Sequence, residues 1–329
     1  MSRCGRQAVI ANLSVLGSAT AGPVLADPGA PAQGRRSGTG TASEGQHMAI
    51  LLVHEQARGW SASQFNADQP EQPWSAFRLP HPHGRPAPFR VASRGRGPAV
   101  DLSLRRTSRP CTSQCAPFAG DEHLRWQSEP GVLGEGVLRH GDGGEESTEL
   151  LGCHERVRGR WSWPALGGWV FGFVNDPSGP ADEAPPSAVV FTMIQPARPA
   201  DAANGSVMLW QYGRMIRHFP RRNLQVGVSG FLDRDQVVLV PPLSGMLATA
   251  PAAQVPGRLL ITARLGDDRL VLDFRSQTAG RIANPSENSL HPFSVHETLG
   301  PCQVDGVVAG RRISFTTSGI VEFAGGAHD

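Results

Sequence analysis

Lysine is missing from this chain: all 31 residues of its lysine-plus-arginine total are arginine. There is therefore no Schiff-base amine for pyridoxal phosphate, no phosphate-loop lysine and no kinase-type lysine, and several large enzyme classes drop out together. Paired cysteine motifs are lacking as well. Cys4, Cys111, Cys115, Cys153 and Cys302 are scattered and odd in number, which suits neither a disulfide framework nor a zinc site. They point to reduced thiols in a cytoplasmic protein, with Cys111 and Cys115 flanking a loop short enough for the two to oxidise together. No apolar run approaches the ~20 residues that span a bilayer, so no membrane span is expected. Charge of one sign is scarce, since 31 basic against 29 acidic residues leave a formal +2. No arginine run makes the clustered patch of a nucleic-acid groove, and nucleic acid is set aside as a partner. Motifs for nucleotide, hydrolase and zinc chemistry are absent: there is no Gly-x-Gly-x-x-Gly after a strand, no Gly-x-Ser-x-Gly and no His-Glu-x-x-His. His81-Pro-His83 has no third ligand at recognisable spacing. The expectation is a protein without cofactor or metal.

What is present reads as β structure. The 329 residues are enough for two domains with cores of their own. Residues 1–47 read as a disordered or misassigned tail: the apolar run Ala8 to Leu16 is broken by Asn12 and Ser14, and Gly, Pro, Ser and Thr crowd Gly22 to Gly45. Two accounts of it stay open, a weak secretion signal ending near Val24-Leu25-Ala26 or a folded chain that opens at Met48-Ala-Ile-Leu-Leu-Val53. Residues 48–160 read as a loop-rich β domain with short strands at Phe89–Ala92, Ala99–Leu104, Glu122–Gln127 and Gly136–Arg139. From 161 to 329 the pattern is denser. Trp169–Val174, Ser187–Ile194, Ser206–Trp210, Leu224–Val228, Gln236–Val240, Arg258–Ala263 and Arg269–Phe274 are rich in β-branched and aromatic residues and are parted by turn residues. Apolar spacing of 3.6 is not sustained there, so crossover helices, and with them a wound parallel sheet, are excluded. The fold class is all-β, antiparallel, a barrel or sandwich, with a last strand at Gly319–Phe323 pairing back onto Trp169–Val174 to remove sheet edges.

Three His-Glu dipeptides carry ionisable groups: His54-Glu55, His154-Glu155 and His296-Glu297. On a strand, neighbours point to opposite faces, so each pair is expected to place one member inside, against the alternative of solvated strand ends. Leu151 to Pro164 is the densest cluster, with Glu155, three arginines, Trp161 and Trp163. A carboxyl facing an apolar interior beside these tryptophans would be pushed towards its protonated form and could donate a proton; the alternative is arginines paired outside and tryptophans filling a core. Tyr212, the one tyrosine, shares a face with Trp210 by period two. It either puts a hydroxyl into a pocket or caps the core.

Glu155-Arg-Val-Arg-Gly159, Trp161-Ser-Trp163 and Gly167-Gly-Trp-Val170 resemble the Glu-x-Asn-Trp-Gly and Trp-x-Trp region of tocopherol cyclase, with Val157 and Arg158 standing where that family has Asn and Trp. Gly306-Val-Val-Ala-Gly310, Ile313-Ser-Phe315 and Val321-Glu-Phe-Ala-Gly-Gly326 are similar to the family's last hairpin and terminal Glu-x-Gly-Gly. The wider family takes in carotenoid hydratases (hydroxyneurosporene synthases) and lipocalin-like Diels-Alderases. The resemblance implies two lipocalin-like barrels packed together, 48–160 and 161–329, with a hydrophobic polyene, prenyl or polyketide substrate of specialised metabolism held at their junction. It implies cofactor-independent cyclisation, hydration or [4+2] cycloaddition. In that reading Glu155 is the acid, His296 or Glu297 a second polar group and Tyr212 a hydrogen-bond donor, while Trp161, Trp163, Trp169, Trp210 and Phe191 line the pocket. The chain is taken as a monomer or homodimer. The rival expectation is a lipocalin-like carrier of an apolar small molecule.

Overall fold

The computed structural model describes residues 1–2, 4–16, 46–67, 89–92, 97–117, 122–161, 166–178, 185–196, 203–240, 254–286 and 289–326. Within them the chain runs through nineteen strands. Helix there is limited to two single 3-10 turns, Arg221–Asn223 and Arg234–Gln236, and no described helix is long and apolar enough to cross a membrane.

Strands before residue 161 make two sheets. β1 (Gln7–Leu16), β2 (Gln46–Glu55) and β3 (Gly59–Ala67) form the first, and β4 (Phe89–Ala92), β5 (Ala99–Arg105), β6 (Cys111–Pro117), β7 (His123–Arg139) and β8 (Glu145–Arg160) form the second. Residues 7–16, which the sequence puts in a tail, are a strand running antiparallel to β2 from Gln7 opposite Glu55 to Leu16 opposite Gln46. Period-two spacing explains this: Ala8 and Ile10 share a face and pack with Ile50, Leu52 and Trp60. The expected short strands at Glu122–Gln127 and Gly136–Arg139 are the two ends of β7. Their intervening Glu-Pro-Gly does not break the strand, because a bulge between Pro130 and Val132, with Gly131 at a φ of 74°, absorbs the extra residue.

Every strand after residue 161 joins one eleven-stranded sheet. It contains β9 (Leu166–Asn175), β10 (Ala188–Pro196), β11 (Asn204–Gln211), β12 (Arg214–Pro220), β13 (Leu224–Phe231), β14 (Val237–Leu239), β15 (Pro256–Leu265), β16 (Asp268–Arg275), β17 (Thr278–Ser286), β18 (Ser289–Val308) and β19 (Arg311–Gly326). The order is β12-β11-β10-β9-β19-β18-β16-β15-β13, with β17 on β18 and β14 on β17. All its pairings are antiparallel except the three-residue β14–β17 contact. β19 returns to β9, Ile320 facing Phe173 and Gly325 facing Gly168, as the sequence led us to expect. The curl stops short of a closed barrel: β12 and β13 end the path on either side of the Arg221–Asn223 turn.

Both faces are buried along β9, β10, β11 and residues 294–299 of β18, whereas β13 at the end of the sheet is largely exposed. Its inner face is filled by its own side chains, among them Phe191, Val207, Phe219, Ile261, Leu272 and Phe274. Packing is tight enough that a Cβ placed on Gly172 would come within 2.2 Å of the Phe191 ring. The outer face is covered by the N-terminal sheets: Phe171, Val190, Ile194, Met208 and Trp210 pack on Leu124 and Trp126 of β7, and Leu299 and Ile320 pack on Ile50, Leu52 and Trp60. One buried side chain ties the layers together. The Asn175 carboxamide accepts from the Gly131 backbone N–H at 3.1 Å and donates to the Gly152 carbonyl at 3.3 Å, joining β9 to both β7 and β8. Asn175→Ala strands two backbone groups in a dry interface and is expected to cost about 1–3 kcal/mol, read as a lower urea midpoint with an unchanged m-value.

Candidate active site

Antiparallel register decides which side chains meet. Glu297 of β18 lies directly opposite Glu322 of β19, and Glu322 lies opposite Phe171 of β9; partners across a ladder share a face. This row sits on the outer face of the large sheet and continues through Thr192 of β10 and Ser206 of β11. Against it β8 presents Cys153 and Glu155, and β7 presents Ser128, the register partner of Glu155. The result is a polar stripe between two apolar layers.

The stripe is short of hydrogen-bond partners. Ser128, Thr192 and Ser206 are fully buried, and neither their hydroxyls nor Glu155 Oε1 has a partner among the described residues. Glu297 is buried, while Glu155 and Glu322 keep partial exposure as whole residues. Glu297 and Glu322 hydrogen-bond each other, and the Trp169 indole N–H donates to Glu322 Oε1. Burial, then the like charges of Glu322 and Glu297, hold the Glu155 carboxyl well above the usual carboxylate range. Burial, then Glu322, does the same for Glu297. Glu322 is raised by burial but relieved by the donors Trp169 and Glu297. Desolvation and Glu155 push the Cys153 thiol up, so it is no nucleophile.

Aromatic side chains frame these acids. Trp126 stacks on Phe171 at 5.7 Å between ring centroids and meets Trp169 edge-on at 6.3 Å, and Trp161 packs against the same cluster. Trp210 is fully buried in this layer, its indole donating to the Arg109 carbonyl at 3.1 Å.

Of the residues singled out from the sequence, Glu155, Glu297, Trp161, Trp169 and Trp210 come together on this face. Trp163 lies outside the described residues. Phe191, 1% exposed, faces the opposite side of the sheet, in the filled inner core. His296 also points there. Its neighbours are its register partner Arg281 and the Phe323 backbone, and burial beside that guanidinium lowers it to about 4. The expectation that each His-Glu pair buries one member fails at 296–297, because β18 is covered on both faces and both members are buried. Tyr212 is 67% exposed, at a φ of 52° in the β11–β12 turn beneath Arg311. Period two stops applying where the strand ends, so Tyr212 does not share the Trp210 face. Sequence reasoning missed Trp126 and Glu322; Glu322 stood in the Glu-x-Gly-Gly-like ending, and its pairing with Glu297 could not be known without the register.

Among the described residues, one other cluster has metal-ligand composition. Glu55, His140 and Glu146 bring their ligand atoms within 4.8 Å of one another. The His140 Nδ1 is 2.9 Å from Glu55, and Arg58 supplies the cation, 3.2 Å from Glu55 and 3.4 Å from His140 Nε2. This is an ion-pair network that joins the β2–β3 and β7–β8 turns.

A carboxyl kept protonated by its surroundings binds more protons folded than unfolded. Below its ordinary value of 4.5 both states hold the proton. Above it the unfolded chain ionises while the fold does not, so this contribution to stability falls as pH rises towards the folded-state value. Glu155→Gln and Glu297→Gln are each expected to flatten the decline in urea midpoint as pH rises above the ordinary carboxyl range; an unchanged pH profile would show that these carboxyls ionise freely.

No family model and no curated protein matches this chain, but solved structures do. An AttH-type protein from Nitrosomonas europaea superposes with a TM-score of 0.58 at 14% identity, over 88% of this chain and 83% of that one. Kievitone hydratase from Nectria haematococca superposes with 0.53 at 12% identity, over 84% and 79%. At such identities the likeness is one of fold: this chain has the lipocalin-like β architecture that the resemblance to tocopherol cyclase and the carotenoid hydratases implied.

Proposed function

We propose that the chain is a cofactor-independent cyclase or hydratase that protonates an alkene of a hydrophobic substrate, such as a prenyl, polyene or polyketide chain, at the junction between the N-terminal sheets and the large sheet. The observation that carries this reading is Glu155, a carboxyl pushed towards its protonated form by burial and by Glu322 and Glu297, with one oxygen that finds no partner among the described residues, facing a layer walled by Trp126, Trp161, Trp169 and Phe171. Protonating a carbon–carbon double bond needs an acid that remains protonated at working pH. The carbocation that follows needs polarisable, electron-rich walls, which aromatic faces supply. The fold shared with a hydratase from Nectria haematococca supports the same class.

The rival reading, a carrier of an apolar ligand, is favoured by no group in the stripe, since a carrier gains nothing from a carboxyl pushed towards its protonated form with an oxygen left unpartnered. Incubation with prenylated or polyene substrates in deuterated water separates the two. An enzyme is expected to return product with one solvent deuterium on carbon, and Glu155→Gln to lower that rate about 10²–10⁴-fold while ligand binding persists. Recovery of every bound ligand unchanged and unlabelled would favour the carrier. Tyr212→Phe, remote from the stripe, is expected to leave the labelling rate unchanged.

A further inference from the structure

We infer that Trp169 is a positioning residue that holds Glu322 as the ionised, proton-accepting member of the three-carboxyl cluster, leaving Glu155 as the donor. The inference deepens the acid-catalysed reading and rests on it for the catalytic use of the protons. The distribution of those protons belongs to the resting protein and can be read without substrate.

The hydrogen-bond pattern is asymmetric. Glu322 receives two donors, the Trp169 indole N–H and the Glu297 carboxyl, and an acceptor with two donors is the one on which charge is best stabilised. Glu297 spends its proton in that bond. The indole cannot accept, so it fixes which of the paired carboxyls takes the charge; without it, Glu297 and Glu322 are two similar acids with the proton free to sit on either. Glu155 has no such donor, and the charged groups that act on it are Glu322 and Glu297. Facing it from its own strand is Cys153; Arg281 and His296 lie on the far side of β18. Of the three carboxyls in this layer, Glu322 is therefore the one best placed to carry a negative charge. Burial raises all three carboxyls, and only at Glu322 do hydrogen bonds, from Trp169 and Glu297, oppose it.

This arrangement completes a proton cycle. The Glu155 O–H bond breaks as a C–H bond forms on the alkene, giving a carbocation and a Glu155 carboxylate beside it. An internal hydroxyl or a water captures the cation through a new C–O bond, and the proton it sheds passes to Glu322. Return of one proton from the Glu297–Glu322 pair to Glu155 restores the start. The substrate is isomerised or gains one water, and no oxidant or reductant is needed.

Infrared titration of the full chain in deuterated water, following the C=O stretch of protonated carboxyls, tests the assignment. Glu155→Gln and Glu297→Gln are each expected to remove one such band at neutral pH, and Glu322→Gln none. Trp169→Phe is expected to leave the Glu155 band and to move ionisation of the pair up by about one pH unit. Should that variant fail to fold, the wild-type protein still reports through the indole ¹⁵N–¹H resonance of Trp169, which is expected to shift with the same midpoint as the pair's infrared band. Loss of a protonated band in Glu322→Gln, an unmoved titration in Trp169→Phe or an indole resonance blind to the pair would overturn the assignment, whatever the deuterium experiment gives. Intact spectroscopy with no deuterium incorporation would instead remove the catalytic reading and leave the proton distribution standing.

Discussion

The pairing of β19 between β18 and β9 is the constraint on which the site depends. Antiparallel ladders put partners on one face, so the register that sets Glu297 opposite Glu322 and Glu322 opposite Phe171 leaves two carboxyls nowhere to go but side by side. A slip of β19 by one residue would turn Glu322 into the inner core, where Phe191 and its neighbours leave no room. The inner packing therefore enforces the outer chemistry. The long β18–β19 hairpin, in register from Val308 opposite Arg311 to Phe293 opposite Gly326, resists such a slip.

Burying three acids in one layer opposes folding, because each must stay protonated or share its proton. Apolar contact between the sheets offsets this. Leu124, Trp126, Phe171, Ile194, Met208 and Trp210 form one cluster around the stripe, and Asn175 satisfies buried backbone groups on both N-terminal strands that border it. Strain of this kind is retained where it serves chemistry, and conflict between local preference and global fold is a recognised mark of a functional site.

Much of this is legible in the sequence alone. Period-two alternation and turn residues located most strands after 161 and the return of the last strand to Trp169–Val174, because half-buried strands carry that signal in every residue. The Glu155 and Trp161 cluster stood out by composition. What could not be read was whatever depended on partners distant in sequence. β8 itself went unrecognised behind its arginines, and β7 was split by a Pro-Gly that a bulge accommodates. Glu322 seemed an ordinary acid until β18 came opposite. Tyr212 failed for the opposite reason: a local rule, strand alternation, was carried one residue past the end of β11 into a turn. Phe191 and His296 were assigned to the pocket, although facing sides of a sheet covered on both faces cannot be told apart by hydrophobicity.

The crowded centre of the large sheet has a further implication. A lipocalin-type cup that holds its guest inside adapts to new guests by trimming its own lining. Here the cup is plugged with hydrocarbon, and it behaves as an anvil rather than a vessel. On the proposed reading, divergence in guest size or shape then falls to the plate laid over it, above all the bulged β7 and its partner β8, whose residues other than Glu155 and Ser128 can be rewritten without disturbing the β18–β19 ladder.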